Sequence, residues 1–177
     1  MDHLRRIDAT KRFCDPESDS RKKTRLLRHM VFELIVGGNI DDHVKSILND
    51  AARVRSVFIQ SVFALCEFYE RFDVCHGDIA SDNIIVSIDD KLTTVTYNVS
   101  GKHLRVKTLG FVVKFIDFER ALIDKPSFTD FMFDLTTFIG FFERWTGCST
   151  YKGMTEEIKQ CTTMSEIIHF VRDATRR

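Results

Sequence analysis

The residues best suited to chemistry lie in the run His76-Gly77-Asp78-Ile79-Ala80-Ser81-Asp82-Asn83-Ile84-Ile85-Val86, which has the form H-x-D-x-x-x-x-N before a β-branched stretch. Phosphoryl transfer accounts for that spacing. One carboxylate accepts or orients the proton of an attacking hydroxyl, and an amide oxygen five residues on holds a metal at the nucleotide phosphates. Asp78 fits the first role and Asn83 the second. A second acid, Asp117 in Phe115-Ile116-Asp117-Phe118-Glu119, stands at the end of an apolar strand and is a further candidate metal ligand. Such groups need rigid supports on both sides, so the next question is which elements hold them.

A long apolar helix leads into the loop. From Asp50 to Phe72, Val54, Val57, Phe58, Val62, Leu65, Phe68 and Tyr69 recur at intervals of three and four with no Gly or Pro, the stripe of a core helix. Asn83 to Ile88 reads as a strand. Thr93 to Val99 alternates, Ser100-Gly101 turns the chain, and Lys102 to Lys107 returns as a hairpin partner. The stretch Tyr97 to Val106 is expected to be a solvent-exposed hairpin that tolerates shortening. Gly110 to Ile116 is another strand, residues 127–145 a Phe-rich buried helix, and residues 154–161 and 164–174 shorter amphipathic helices. Upstream, residues 39–48 suit a short helix with Asn39 as its cap.

Bulk properties exclude several classes. With 177 residues, 44% hydrophobic content and 16 Phe, the chain can bury a core. Net charge is zero, which gives no argument for nucleic acid. Residues 1–28 nevertheless hold nine basic residues against five acidic ones, a basic arm read as a solvated segment. No apolar run reaches the ~18 residues of a membrane span, so no membrane partner is expected. The five cysteines (Cys14, Cys66, Cys75, Cys148, Cys161) lack CxxC spacing. That argues against a zinc site or a disulfide scaffold and for a reducing, intracellular setting, cytoplasmic or nuclear. Cys75 lacks a partner His pattern and is not read as a nucleophile. The run Phe128, Phe131, Phe133, Phe138, Phe141, Phe142 and Trp145 is read as core rather than as a base-stacking face.

Taken together, these stretches resemble eukaryotic-type protein kinases, in pattern closest to haspin-like kinases and kinases of large DNA viruses, over about residues 30–145. Met30 to Ile40 resembles the hinge between kinase lobes, with Glu33 and Ile35 presenting backbone groups to adenine. His76 to Asn83 resembles the catalytic loop, with Gly77 where most protein kinases carry Arg. His76 has a structural role in that family. Asp117 to Glu119 resembles the D-F-G segment, with Glu in place of Gly. The segment from Val95 to Lys114 resembles the extra hairpin of haspin-like kinases and accounts for the 39 positions between Asp78 and Asp117. Asp134 resembles the buried acid that ties down the catalytic-loop backbone.

The resemblance implies an α+β, mostly helical fold. Residues 30–177 would form a kinase-like large lobe including the hinge, and residues 1–29 a basic arm or vestigial small lobe. It implies a Ser/Thr-type phosphotransferase using ATP and Mg²⁺, weak in isolation because the small lobe is largely missing, with Asp78 as catalytic base, Asn83 and Asp117 as metal ligands, and Glu33, Ile35 and Asn83 at the nucleotide. A protein substrate or protein partner follows from it. Departures are equally plain. No Gly-rich phosphate loop, V-A-I-K lysine or A-P-E segment is found, and Lys22 and Lys23 are not placed over phosphates by any pattern. Two other readings stand beside the enzyme. One is a truncated, pseudokinase-type binding module that interferes with a host kinase or signalling partner; the other is a fragment of a longer kinase.

Overall fold

The computed structural model describes residues 37–174. The basic arm and the hinge positions Glu33 and Ile35 lie outside the described residues. The described part is α+β, with about half of its residues helical and two small antiparallel sheets, rather than mostly helical. In chain order it contains β1 (Gly38–Asn39), α1 (Val44–Leu48), α2 (Ala51–Phe72), β2 (Ile84–Ile88), β3 (Thr94–Val99) and β4 (Lys102–Lys107). β5 (Phe111–Phe115), α3 (Phe128–Thr146), α4 (Met154–Ile158) and α5 (Met164–Ala174) follow.

α2 organises the rest. Asp50 caps its start by accepting from the Ala52 N–H at 2.8 Å, and Asp73 ends it in the left-handed region. Its apolar stripe is wide enough to face several partners at once: α1, the β3–β4 hairpin, β5, α3 and α5 all pack on it. Phe58 sits fully buried at the α3 contact, its ring centroid 6.1 Å from Phe138, 5.1 Å from Phe142 and 5.4 Å from Tyr151. α3 begins in a capping box between Ser127 and Asp130 and stops at Gly147, whose φ of 57° suits a residue without a Cβ. Of its aromatic run, Phe131, Phe138 and Phe142 are buried, while Phe133 is 66% exposed. Phe133 is therefore an exception to the core reading.

Three strands form the sheet that carries the site, in the order β1-β2-β5. β2 and β5 pair antiparallel with Ile84 opposite Phe115 and Ile88 opposite Phe111. Gly38 and Asn39 add a short edge against Val86 and Ile85. That pairing shortens the helix expected over residues 39–48. The Asn39 backbone belongs to the sheet, and its side chain accepts from the Asp42 N–H at 3.0 Å while its own N–H donates to the Asp42 carboxylate. Asn39 thus caps a turn, and regular helix starts only at Val44.

Gln60 joins α2 to β5. It is fully buried on the apolar face of the helix, donates from Nε2 to the Phe111 carbonyl at 2.9 Å and accepts the Val113 N–H at 3.1 Å. One side chain thereby does for β5 what a neighbouring strand would do. Gln60→Leu keeps the volume but leaves both backbone groups buried without partners, and is expected to lower stability by about 2–3 kcal/mol in urea unfolding.

The hairpin corrects an expectation. Register runs from Thr94 opposite Lys107 to Val99 opposite Lys102, and Ser100 (φ 50°) and Gly101 (φ 69°) make the turn as the sequence suggested. It is not, however, a solvent-exposed appendage. Tyr97, Val99, Leu104 and Val106 are buried, and Tyr97 packs edge-on against Phe63 of α2 at 6.2 Å. The alternation that signals a strand also marks one face as apolar, and here that face lies on α2.

Candidate functional site

The loop between α2 and β2 is held from below by a single carboxylate. Asp134 of α3, 2% exposed, accepts the N–H groups of His76 and Gly77, the latter at 3.0 Å to one oxygen and 3.3 Å to the other. Burial pushes the Asp134 carboxyl above the ordinary aspartate value, with the Gly77 and His76 N–H bonds pulling the other way. This is the tether that the resemblance assigned to Asp134. His76 is fully buried, and its Nε2 lies 2.8 Å from the Ile116 carbonyl, so the ring joins the loop to the end of β5. That is a structural place, as expected for it.

Asn83 is the second joint. Its side-chain Nδ2 donates to the Asp78 carbonyl at 2.9 Å, and its backbone carbonyl accepts the Ile116 N–H at 3.0 Å. The amide nitrogen is thus committed to the loop, and the amide oxygen is the end suited to a cation. The Ile84–Phe115 register, carried one step on, sets Asn83 beside Ile116, so Asp117 follows at the same end of the ribbon. Asp117 has φ 61° and ψ 67°, a left-handed conformation that asparagine and aspartate tolerate better than other side chains. It caps a single 3₁₀ turn, Phe118–Arg120, by accepting from the Glu119 N–H at 3.4 Å. Phe118 places its ring centroid 4.6 Å from His76 and 5.4 Å from Phe68, which anchors the residue after the acid to the loop and to α2.

The structure therefore hydrogen-bonds Asn83 both to the Asp78 carbonyl and to Ile116, the chain neighbour of Asp117. Asp78 is partly exposed and Asp117 exposed, while Asn83 is buried. The donors are oxygens, the set that hard divalent cations such as Mg²⁺ prefer. Among the described residues no group of three or more His, Cys, Asp or Glu is arranged to hold a metal ion alone. A cation at Asn83 and Asp117 would need further oxygens from a ligand. Burial, reinforced by Asp134 and Asp130, pushes the Cys75 thiol up to about 12, so almost no thiolate exists at neutral pH. This is not the lowered pKa of an activated thiol.

Sequence reasoning missed the way the chain returns after Asp117. Cys75 and Leu122 form an antiparallel bridge, with N–H to carbonyl distances of 3.0 and 2.9 Å. The returning segment lays the Arg120 carbonyl against Gly77, which has φ 76°; a Cβ there would stand 2.3 Å from that oxygen. Arg120 also puts Nη1 3.6 Å from Asp78 Oδ1. No local signature marks an isolated bridge of this kind, though a glycine beside a candidate site aspartate hints at a close backbone approach. Gly77→Ala is expected to cost about 2 kcal/mol in thermal or urea unfolding, since both its φ and the Arg120 carbonyl oppose a side chain.

Comparison with known proteins adds little to this geometry. No family model matches the chain. An uncharacterized protein of Caenorhabditis elegans is 24% identical over 100 residues, which cover 56% of this chain and 33% of that protein. The chain thus spans about a third of the relative's length. No helix among the described residues is long and apolar enough to cross a membrane.

Proposed function

We propose that this chain carries a protein-kinase-like large-lobe site that transfers the γ-phosphoryl group of Mg·ATP to a serine or threonine hydroxyl. The supporting observation is the double connection of Asn83, to the Asp78 carbonyl through its side chain and to Ile116 through its backbone. It ties the backbone that carries Asp78 to the residue before Asp117, and positioning of this kind is the main demand of phosphoryl transfer. Asp78 accepts the proton of the attacking hydroxyl. Asn83 and Asp117 would hold Mg²⁺, which when bound neutralises charge on the phosphates. Asp134 and His76 keep the loop and the β5 end in register, so that orientation is set before the substrate arrives.

The test has a binding arm and a turnover arm. Mg·ATP is expected to raise the melting temperature of the wild-type chain by mass action, and Asp117→Asn to abolish that rise. Asp78→Asn is expected to bind Mg·ATP as wild type does yet lose about 10²–10⁴-fold in transfer to a generic protein substrate. A wild-type chain whose melting temperature ignores millimolar Mg·ATP would overturn the proposal. A second reading, a kinase-like binding module, draws on the exposed Phe72 and Ile123, which line a shallow pocket with Val74 at the loop entrance. Nucleotide binding without Asp78-dependent turnover would favour it.

A further inference from the structure

We propose that Arg120 is the phosphate-binding cation of this site: it covers Asp78 when nucleotide is absent and moves to the γ-phosphate of a bound nucleoside triphosphate. This rests on the phosphotransfer reading above and names a residue that reading does not use. Two properties of Arg120 combine. Its backbone is fixed by the 3₁₀ turn that Asp117 caps, by the close approach of its carbonyl to Gly77, and by the Cys75–Leu122 bridge two residues later. Its side chain is held by little. The guanidinium is 73% exposed, and its 3.6 Å separation from Asp78 Oδ1 exceeds hydrogen-bond length. Exposed ion pairs of this kind are weak, so exchanging one partner for another is easy.

The competing partner is chemically better. A terminal phosphate presents several charged oxygens to the planar guanidinium fork, which suits bidentate pairing. The chain has eight glycines and no G-x-G-x-x-G run, so no phosphate-covering loop of that form comes from its own sequence. Arg120, three residues after Asp117, is placed to supply cationic charge at the same end of the ribbon. Its departure also uncovers Asp78. In the transfer step the acceptor oxygen bonds to the γ-phosphorus as the bond from that phosphorus to the β,γ-bridging oxygen breaks. The hydroxyl proton goes to Asp78, and the electron pair leaves with the nucleoside diphosphate. Arg120 forms no covalent bond and offsets charge on the transferring oxygens, so nucleotide binding and exposure of the base become one event.

The experiment compares the full chain with Arg120→Ala, Arg120→Lys and Asp78→Asn. Equilibrium titrations with Mg·ATP and Mg·ADP are combined with single-turnover ATP consumption, after unfolding curves show that each variant folds. Arg120→Ala is expected to lose any ATP-over-ADP preference of the wild type, and to lower the transfer rate by about 10²–10³-fold, at or below the range for arginines in this role. Arg120→Lys should recover part of both. Added guanidinium should restore part of the rate of Arg120→Ala but none of that of Asp78→Asn, a rescue that a purely structural arginine would not show. An Arg120→Ala protein with wild-type ATP-over-ADP preference and a rate within threefold of wild type overturns the role of Arg120 and leaves the site reading standing. A wild-type chain that binds neither nucleotide overturns both.

Discussion

Asp134→Ala is expected to lower stability by about 3–5 kcal/mol and to disorder the loop that carries Asp78. The magnitude follows from what the carboxylate satisfies. Two backbone N–H groups, of His76 and Gly77, converge on it in the interior. Removing the acceptor leaves both buried donors unpaired, at about 1–3 kcal/mol each, and opens a void where the side chain stood. Against a typical domain stability of 5–15 kcal/mol, the loss moves the protein close to its unfolding threshold. Asp134→Asn should fall between, since one amide oxygen can serve one donor while the NH₂ group faces the other. Urea unfolding of the three proteins measures the series, and an alanine variant within 1 kcal/mol of wild type would show that the loop does not depend on this tether. The pH dependence has a definite sign. Burial raises the Asp134 pKa, so between the ordinary aspartate value of about 3.9 and the raised one the native state binds more protons than the unfolded state. This group's contribution is therefore full at the acidic end and declines as pH rises through that window. Asp134→Asn should remove that decline.

Excision of the hairpin is the second large effect. Cutting out Thr94 to Lys107 and joining the ends through a short glycine linker is expected to cost at least about 4 kcal/mol or to abolish cooperative unfolding. Closure strain is not the reason. The Thr108 N–H already donates to the Thr93 carbonyl at 3.0 Å, so the cut ends are neighbours. What is lost is burial. Tyr97, Val99, Leu104 and Val106 each contribute roughly 1.5–3 kcal/mol when removed from water. The chain entropy returned by shortening offsets part of that sum, but the apolar face of α2 around Phe63 is left open to solvent. Circular dichroism melts of the excised protein decide the matter; a transition within a few degrees of wild type would mean that the hairpin packs on α2 without supporting it.

How much was readable in the residues differs between the two halves of the problem. Periodicity identified α2 and a Phe-rich apolar run identified α3, which end at residues that tolerate left-handed geometry, Asp73 and Gly147. Alternation and Ser100-Gly101 located the hairpin, but alternation does not name what an apolar face packs on, so its seat on α2 stayed hidden. Spacing picked out Asp78 and Asn83, and the apolar strand end picked out Asp117; the structure bonds Asn83 to the Asp78 carbonyl and to Ile116, the residue before Asp117. Gln60 escaped notice because a single polar residue inside an apolar stripe looks like a lapse in the pattern. Only the opposing carbonyl of Phe111 and N–H of Val113 give it a purpose. Arg120 was hidden for a related reason: its neighbours Gly77 and Asp78 are more than forty positions away, and no periodicity records a contact of that span.

The Asp134 tether also implies an order of assembly. Within the β3–β4 hairpin, partners are at most 13 positions apart, from Thr94 to Lys107. The loop, in contrast, gains its acceptor from a residue 58 positions downstream of the His76 N–H. Closing a longer span costs more chain entropy before any contact repays it. The hairpin itself therefore pairs early, and the loop gains its tether only when α3 docks. In a polypeptide emerging from the ribosome, β5 leaves the exit tunnel ahead of Asp134. Until then the loop that carries Asp78 has a scaffold but lacks the acceptor for its His76 and Gly77 N–H groups.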